Sequence, residues 1–273
     1  MEDVIVGIIG FGNMGSAIHE RVKDFGVLKV FDKEVSKISG LGRENIADST
    51  KDLADKSDMI ILAVKPQDFE GVLNEIKGVV KGKLIISIAA GIPTAYIEKV
   101  LGDARVIRVM PNMPAKIGQG MSCLCKGAFA GKGDLEFTQR MFRELGETLI
   151  IEEAMMAAAT AISGSGPGFF YDLISDKPSN EWSKYAKNFF IPELKKAACA
   201  LGFSDEQAHL LSATTSHGSL SLLEITGLSP QVLCSQVVSK GGTTEAGLEV
   251  LHKGGSLEEA VLAAYKRAAE LSR

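Results

Sequence analysis

The first half of the chain alternates short apolar runs with longer segments that mix apolar and polar residues. The run Met59–Val64 has six consecutive apolar residues, which is typical of a parallel strand buried on both faces. Strands that alternate with helices in this way predict a doubly wound parallel sheet, and so an α/β fold. The predicted strands are Val4–Ile9, Lys29–Phe31, Met59–Val64, Lys83–Ile88, Arg105–Met110, Met121–Cys125 and Glu147–Ile151.

The pattern changes after Glu152 and Glu153, where strand-like runs stop and alanine, leucine and helix-capping signals take over. Ser204–Gln207 and Ser256–Glu259 have the spacing of capping boxes, so each predicts the start of a helix. We therefore predict two domains, a sheet domain over residues 1–153 and an all-helical domain over 154–273. A helical domain without its own sheet often completes its core against a second copy, so we expect dimerisation through this domain.

Length and composition exclude several classes of protein. The 273 residues are enough for two domains, and 45% hydrophobic with 23% charged residues is ordinary for a globular chain. A net charge of −4 offers no basic surface for nucleic acid. No apolar run approaches the roughly 20 residues that span a bilayer, and Met1–Asp3 shows no secretory leader. We expect a cytoplasmic protein with no membrane partner.

The four cysteines do not have the arrangement of a metal site. Cys123 and Cys125 share one face of a predicted strand, but neither a second cluster nor a nearby histidine pair accompanies them. We expect reduced thiols and no bound metal.

The first predicted strand runs into a glycine turn of G-x-G-x-x-G spacing and then a helix. Gly10 allows the tight turn, Gly12 lets the backbone approach a pyrophosphate, and Gly15 lets the helix pack closely on the strand. The free N–H groups at the start of the helix then face the phosphates. Because Asp32 also ends the next strand, this stretch predicts a dinucleotide site.

Three further strand ends carry small residues: Ala63–Pro66, Ser87–Gly91 and Met110–Asn112. Doubly wound sheets bind ligands at the carboxyl ends of their strands. Small side chains there leave room for a ribose or nicotinamide ring, which strengthens the prediction of a dinucleotide site.

Two segments of the helical half, Ser163–Pro167 and Ser239–Thr244, are rich in glycine and hydroxyl residues. Both are predicted to be loops, either as plain turns between helices or as anion sites. Consecutive N–H groups at a helix start, beside serine and threonine hydroxyls, form a nest for a carboxylate. Lys240 would add positive charge to the second loop.

Taken together, these motifs resemble those of the pyrroline-5-carboxylate reductases, and the resemblance spans nearly the whole chain. It implies an N-terminal Rossmann domain and a C-terminal helical dimerisation domain. It also implies hydride transfer from NADPH or NADH to the C=N bond of 1-pyrroline-5-carboxylate, which yields L-proline. Members form homodimers, and in many of them dimers assemble into a decamer. The segments that carry the resemblance are Gly10–Gly15, Ala63–Gln67, Ser87–Gly91, Arg108–Asn112, Ser163–Pro167 and Gly241–Thr244.

The resemblance also assigns roles to individual residues. The cofactor-binding residues it implies are Gly10, Phe11, Gly12, Asn13, Met14, Gly15, Asp32, Lys33, Ala63, Val64, Lys65, Pro66, Ala90, Gly91 and Asn112. Backbone groups of Ser239, Gly242 and Thr243 are expected to hold the substrate carboxylate. The Thr244 hydroxyl is expected to hydrogen-bond the ring nitrogen and to act in catalysis.

The chain departs from the family pattern in five places. Lys240 stands where the family usually has proline, Glu245 where an apolar residue is usual, and Met113 where threonine is usual. Ala157 replaces an aspartate that commonly precedes the Ser163–Pro167 stretch by several residues. The fifth departure is an insertion of nearly twenty residues within 170–190, which contains the only tryptophan, Trp182. The insertion is expected to alter the local dimer packing or to lie over the substrate site.

Reduction of an imine needs a protonated ring nitrogen but no strong base, unlike oxidation of an alcohol. All the histidines fall on predicted helices and none in a glycine loop, which agrees with an imine reductase; they are His19, His209, His217 and His252. Asp32 favours NADH because its charge repels a 2′-phosphate. Lys33, Ser36 and Lys37 follow closely and offset that repulsion, so both cofactors stay open.

Two other functions remain possible from the sequence. One is an oxidoreductase of the β-hydroxyacid dehydrogenase kind, which would need a well-placed lysine that Ser163–Pro167 lacks. The other is a non-catalytic dinucleotide-binding sensor, which would bind the cofactor without turnover.

Overall fold

The computed structural model describes residues 4–272. Met1–Asp3, where no leader is expected, and Arg273 lie outside the described residues. The chain forms two compact units. Unit 1 comprises Met1–Val109 and Leu124–Glu153, and unit 2 comprises Met110–Cys123 and Ala154–Arg273. Residues 110–123, which the sequence places with the first domain, therefore belong to unit 2.

A seven-stranded sheet has the order β2-β1-β3-β4-β5-β6-β7. All the strands expected from the sequence are present, with ends shifted by a few residues. The neighbouring pairs β2–β1, β1–β3, β3–β4 and β4–β5 are parallel. The strands are β1 Ile5–Ile9, β2 Val27–Phe31, β3 Met59–Leu62, β4 Leu84–Ser87, β5 Arg105–Met110, β6 Gly120–Lys126 and β7 Gly146–Ile150.

The central strands form the core of unit 1 because both of their faces are covered. Every residue of β3 and β4 is buried, and Ile60 pairs with Ile85 in register. Phe69 and Leu73 pack on the same cluster from a helix. Since β2 and β3 lie on opposite sides of β1, their connections diverge and leave a crevice at the carboxyl ends of the strands.

The helices of unit 1 follow the strands as expected. Ser49 caps one of them, since its hydroxyl accepts the Asp52 N–H at 3.0 Å. The first helix stops at Arg21, and a separate 3₁₀ turn, Lys23–Phe25, fills the interval to Gly26. The helices are α1 Asn13–Arg21, α2 Val35–Ile38, α3 Thr50–Lys56, α4 Pro66–Ile76, α5 Thr94–Leu101 and α6 Lys132–Arg143.

An ion pair with one nearly buried member ties three parts of unit 1 together. Arg108 on β5 is only 4% exposed and lies 3.0 Å from the Glu153 carboxylate. The same carboxylate accepts the backbone N–H of Thr94 at 3.0 Å and its hydroxyl, at the start of α5. Burial, followed by the charge of Glu153, raises the pKa of the neighbouring Cys125 thiol to about 12, so this thiol stays protonated.

From Ala154 onward, unit 2 is helical in the residues described. Both predicted capping boxes are present, because Ser204 bonds reciprocally with Gln207 and Ser256 with Glu259. The helices are α7 Met156–Ala159, α8 Gly166–Ile174, α9 Ser179–Tyr185, α10 Ile191–Ala200, α11 Asp205–Thr226, α12 Pro230–Val237, α13 Thr243–His252 and α14 Leu257–Leu271.

The segment Ser163–Pro167 is helical, so the prediction of a loop there is wrong. A π-helical turn over Thr160–Gly164 leads directly into α8. The Ser163 hydroxyl bonds the Ala159 carbonyl at 2.9 Å, which satisfies it inside the helix. Pro167 falls in the first turn of α8, where no N–H is needed.

The region 170–190, where the sequence suggests an insertion, holds the end of α8, then α9 and a π-helical turn over Ala186–Phe190 that continues into α10. The Trp182 indole N–H donates to the Lys177 carbonyl at 3.0 Å, which fixes the start of α9. Whether this region is an insertion stays a prediction.

Within residues 4–272, no helix combines the length and apolar character needed to cross a membrane.

Candidate active site

The glycine turn after β1 has the geometry that its spacing predicts. Gly10 has φ +97°, and a Cβ there would lie 2.6 Å from the Ala63 carbonyl oxygen. A Cβ on Gly15 would collide with the Gly10 carbonyl. A Cβ on Gly12, in contrast, would meet no heavy atom within 4 Å, so the backbone is open to a ligand at that point.

A cavity of about 1110 Å³ opens beside this turn in unit 1, at the carboxyl ends of β1, β2 and β3. Its volume suits a dinucleotide. It is lined by Ile9, Gly10, Gly12, Phe31, Asp32, Lys33, Glu34, Lys37, Ser49, Thr50, Lys51, Ala63, Val64, Lys65, Gln67, Asp68, Gly71, Val72 and Glu75.

The cavity brings together some of the expected cofactor residues and leaves others outside its lining. Those that line it are Gly10, Gly12, Asp32, Lys33, Ala63, Val64 and Lys65. Those that do not are Phe11, Asn13, Met14, Gly15, Pro66, Ala90 and Gly91. Asn112 belongs to unit 2, where its side-chain oxygen accepts the Met121 N–H at 2.8 Å and its amide nitrogen has no partner among the residues described.

Asp32 ties the end of β2 to the glycine turn. Its carboxylate is 7% exposed and accepts the N–H of Phe11 at 2.6 Å and that of Glu34 at 2.8 Å. Both oxygens therefore have a backbone donor already, although each keeps a second lone pair. The main structural effect of Asp32 is to hold the glycine turn in place.

Lysines line the cavity beyond Asp32. The Lys33 amine lies 2.7 Å from Asp68, and that of Lys37 lies 2.8 Å from Glu34 and 4.0 Å from Asp32. The hydrogen bond to Glu34 is the main reason that the pKa of Lys37 is raised, so this amine stays charged. With Lys51, these side chains give this part of the cavity cationic groups able to meet a phosphate.

Sequence reasoning missed the contribution of α3 and α4 to this cavity. Ser49 and Thr50 signal only a helix cap in the sequence, and Gln67 and Asp68 only the first turn of a helix. They line the cavity because both helices begin at the same edge of the sheet. The position of these residues in the cavity follows from the order of the strands in the sheet, which no local sequence motif indicates.

In unit 2, the segment Ser239–Gly242 forms a tight turn that opens α13. The Gly242 N–H donates to the Ser239 carbonyl at 2.9 Å, and Gly241 has φ +69°. Gly242 is then the extended N-cap residue of α13. Because the Gly242 N–H is used within the turn, the donors left for an anion are those of the first helical residues, Thr243 and Thr244.

Both threonines contact α8 or its N-cap residue, Ser165. The Thr243 hydroxyl lies 2.9 Å from that of Ser165, which is fully buried. Thr244 is 4% exposed, and a Cβ on Gly168 would lie 2.5 Å from its methyl group. This close packing fixes the start of α13.

The histidines all lie on helices, as expected, and none lies in the turn that opens α13. His19 is packed edge-on against Phe11 with ring centroids 5.3 Å apart, and burial lowers its pKa. His252 ends α13 and lies 2.9 Å from Asp172. His209 and His217 lie on α11. No cluster of three or more His, Cys, Asp or Glu side chains suited to a metal ion occurs in residues 4–272.

The sheet topology, the glycine turn and the lysine-lined cavity define a dinucleotide-binding protein of the Rossmann type. The model of the family described as NADP oxidoreductase, coenzyme F420-dependent, matches residues 5–91, which include this cavity. The model described as pyrroline-5-carboxylate reductase dimerisation matches residues 188–271 of unit 2.

Whole-chain comparisons agree with both matches. The chain is 33% identical to pyrroline-5-carboxylate reductase of Arabidopsis thaliana, over 100% of this chain and 97% of the relative. It is 34% identical to that of Aquifex aeolicus, over 92% and 89% respectively. A solved Plasmodium falciparum pyrroline carboxylate reductase with NADP bound is 29% identical with a TM-score of 0.62, over 99% of this chain and 100% of that one. The chain belongs to the pyrroline-5-carboxylate reductase family.

Proposed function

We propose that this protein reduces 1-pyrroline-5-carboxylate to L-proline with NADPH or NADH. The observation that carries the proposal is the Ser239–Thr244 segment, because a glycine turn opening a helix suits a small carboxylate. Membership of the family supports the same substrate. The lysine that a β-hydroxyacid dehydrogenase would need is absent from Ser163–Pro167, so that alternative is not favoured.

In unit 1, the residues present fit a nicotinamide dinucleotide. The open backbone at Gly12 and the first N–H groups of α1 suit the pyrophosphate. Ala63, Val64 and Lys65 line the cavity beside β3 and suit the nicotinamide portion. When bound, the reduced cofactor supplies the hydride for the imine carbon. The remaining cofactor residues in the proposal are Phe11, Asn13, Met14, Gly15, Asp32, Lys33, Pro66, Ala90 and Gly91 of unit 1, and Asn112 of unit 2.

In unit 2, the proposed substrate residues position the ring. Of the backbone groups expected to hold its carboxylate, the Ser239 carbonyl and the Gly242 N–H bond each other within the turn. We therefore assign the carboxylate to the N–H groups of Thr243 and Thr244, whose direction the turn sets. The Thr244 hydroxyl hydrogen-bonds the ring nitrogen and relays the proton that this nitrogen needs. Hydride addition to carbon and one proton on nitrogen together give the secondary amine of proline. No strong base is required, so catalysis rests on positioning.

We also propose that the chain forms a homodimer, and that dimers assemble into a decamer. Exposed apolar side chains in unit 2 support an interface there, and they include Phe189, Ile225 and Val232. A cytoplasmic location completes the proposal, supported by four free cysteines.

Consumption of NADPH or NADH in the presence of 1-pyrroline-5-carboxylate tests the function directly. We expect turnover with this substrate and none with β-hydroxyacids and the oxidised cofactor. Turnover only on hydroxyacids would establish the dehydrogenase alternative. Cofactor binding, measured by fluorescence, without turnover on either substrate would establish the sensor alternative.

A further inference from the structure

The turn that opens α13 has the features of a type II β-turn. Its hydrogen bond joins the first and fourth residues, Ser239 and Gly242, and its third residue, Gly241, has φ +69°. Among residues 4–272, Asp103 is the sole non-glycine with positive φ, so Lys240 has the negative φ of the second turn position. Proline is favoured at that position because its ring fixes φ. Lysine provides no such restraint.

Two charged side chains hold the central residue of this turn from opposite sides. The Glu245 carboxylate accepts the Gly241 N–H at 2.6 Å. The Arg267 Nε–H donates to the Gly241 carbonyl at 2.7 Å. Arg267 is itself held from α14, since its Nη1 lies 2.9 Å from Glu270. Both polar groups of Gly241 are therefore engaged by charged partners, which make strong hydrogen bonds.

The contact with Glu245 distinguishes between the two common turn types. Types I and II differ by a flip of the peptide between the second and third residues. The N–H of that peptide is the Gly241 N–H, so the 2.6 Å contact with Glu245 exists only with the peptide in its present orientation. Glu245 is the third residue of α13 and reaches back past the N-cap, in the manner of a capping box.

We propose that Glu245 and Arg267 are positioning residues for the substrate carboxylate. They lock the Ser239–Gly242 turn and so orient the N–H groups of Thr243 and Thr244, which follow it directly. These two side chains, here called the clamp, restrain the turn where a proline at position 240 would otherwise restrain it. This inference rests on the proposed function of the turn, and it adds residues that contact neither substrate nor cofactor.

Steady-state kinetics on a double-mutant cycle test the clamp. We expect Glu245→Ala to raise KM for 1-pyrroline-5-carboxylate about tenfold, with a smaller change in kcat and an unchanged Kd for NADPH, because one charged hydrogen bond is lost. In a Lys240→Pro background the same substitution should raise KM by about twofold or less, since the ring restrains the turn. Arg267→Lys should raise KM by a factor between these two values.

Glu249→Ala is the matched control, because Glu249 is exposed one turn further along α13. It should leave KM unchanged. An equal rise in KM for Glu245→Ala with lysine or proline at position 240 would overturn the proposal, because it would show that Glu245 does not act through the turn. If the alanine variant does not fold, Glu245→Gln replaces it in the same comparison, because its side chain keeps an oxygen acceptor.

Hydrogen–deuterium exchange separates failure of the clamp from failure of the proposed function. Glu245→Ala should speed exchange of the peptide that contains residues 239–244, and Lys240→Pro should reverse much of that increase. Unchanged exchange would overturn the clamp whatever the substrate. If the wild-type enzyme does not turn over 1-pyrroline-5-carboxylate but the exchange result holds, the proposed function fails and the clamp stands.

Discussion

At the scale of single residues, Thr244 carries the chemistry proposed for unit 2. Its hydroxyl is assigned to the ring nitrogen, while its methyl group packs closely against Gly168. We expect Thr244→Ala to lower kcat about 100-fold, because a positioned proton donor typically contributes that much. Cofactor affinity, measured by fluorescence titration, should change less than twofold.

Thr244→Ser provides the control for this prediction, since it keeps the hydroxyl and removes only the methyl group. It should retain most of the activity. Wild-type turnover in the alanine variant would remove Thr244 from the mechanism and leave the backbone donors of α13 as the sole contribution of this segment.

Individual residues differ in how far the sequence could assign them. Gly10 and Gly15 were predictable because their steric roles follow from spacing along one strand, turn and helix. The bond from Glu245 to Gly241 was not, because a glutamate in a first helical turn ordinarily signals only a favourable helix dipole. The place of Lys51 in the cavity also depends on strand order, which local spacing does not contain.

At the scale of elements, the end of β2 and the short helix α2 that follows it place Lys37 in the cavity. We expect Lys37→Gln to lower kcat/KM for NADPH about tenfold and to leave that for NADH within about twofold. The reason is that only NADPH carries a 2′-phosphate, and a charged hydrogen bond to it would be lost. Initial rates measured with NADPH and with NADH give the two kcat/KM values and their ratio.

Lys56→Gln is the matched control, because Lys56 lies at the far end of α3 and pairs with Asp52. It should change neither rate. If Lys37→Gln lowered kcat/KM equally for both cofactors, Lys37 would not be the residue that recognises the 2′-phosphate of NADPH.

The ion pair between Arg108 and Glu153 joins β5 to the start of α5, so it should matter for stability more than for catalysis. We expect Glu153→Ala to reduce the free energy of unfolding by about 3 kcal/mol, because it leaves a buried guanidinium without its partner. Urea unfolding followed by circular dichroism measures the change. The neighbouring exposed Glu152 offers the control, since Glu152→Ala should have little effect.

Element types were more predictable than the connections between them. Strands such as β3 and β4 were evident because both faces are buried and their sequences are continuously apolar. The helical continuation through Ser163–Pro167 was missed because glycine and serine ordinarily end helices. Here the Ser163 hydroxyl bonds back into the preceding turn, and the π-helical turn carries the chain on into α8.

At the scale of the whole molecule, the match of residues 188–271 to a dimerisation family predicts self-association. Light scattering coupled to gel filtration should give a mass of at least twice the 29.1 kDa of one chain. Ten times that mass would support the decamer. A mass of one chain at micromolar concentration would contradict the proposed assembly.

Both units are discontinuous in sequence, because the chain passes from one to the other at residues 109/110, 123/124 and 153/154. A gene fragment that stops at codon 153 would therefore encode unit 1 together with the 110–123 segment that belongs to the other unit. A fragment that starts at codon 154 would lack that segment. Exchange of either whole unit with a relative therefore takes more than one crossover in the gene.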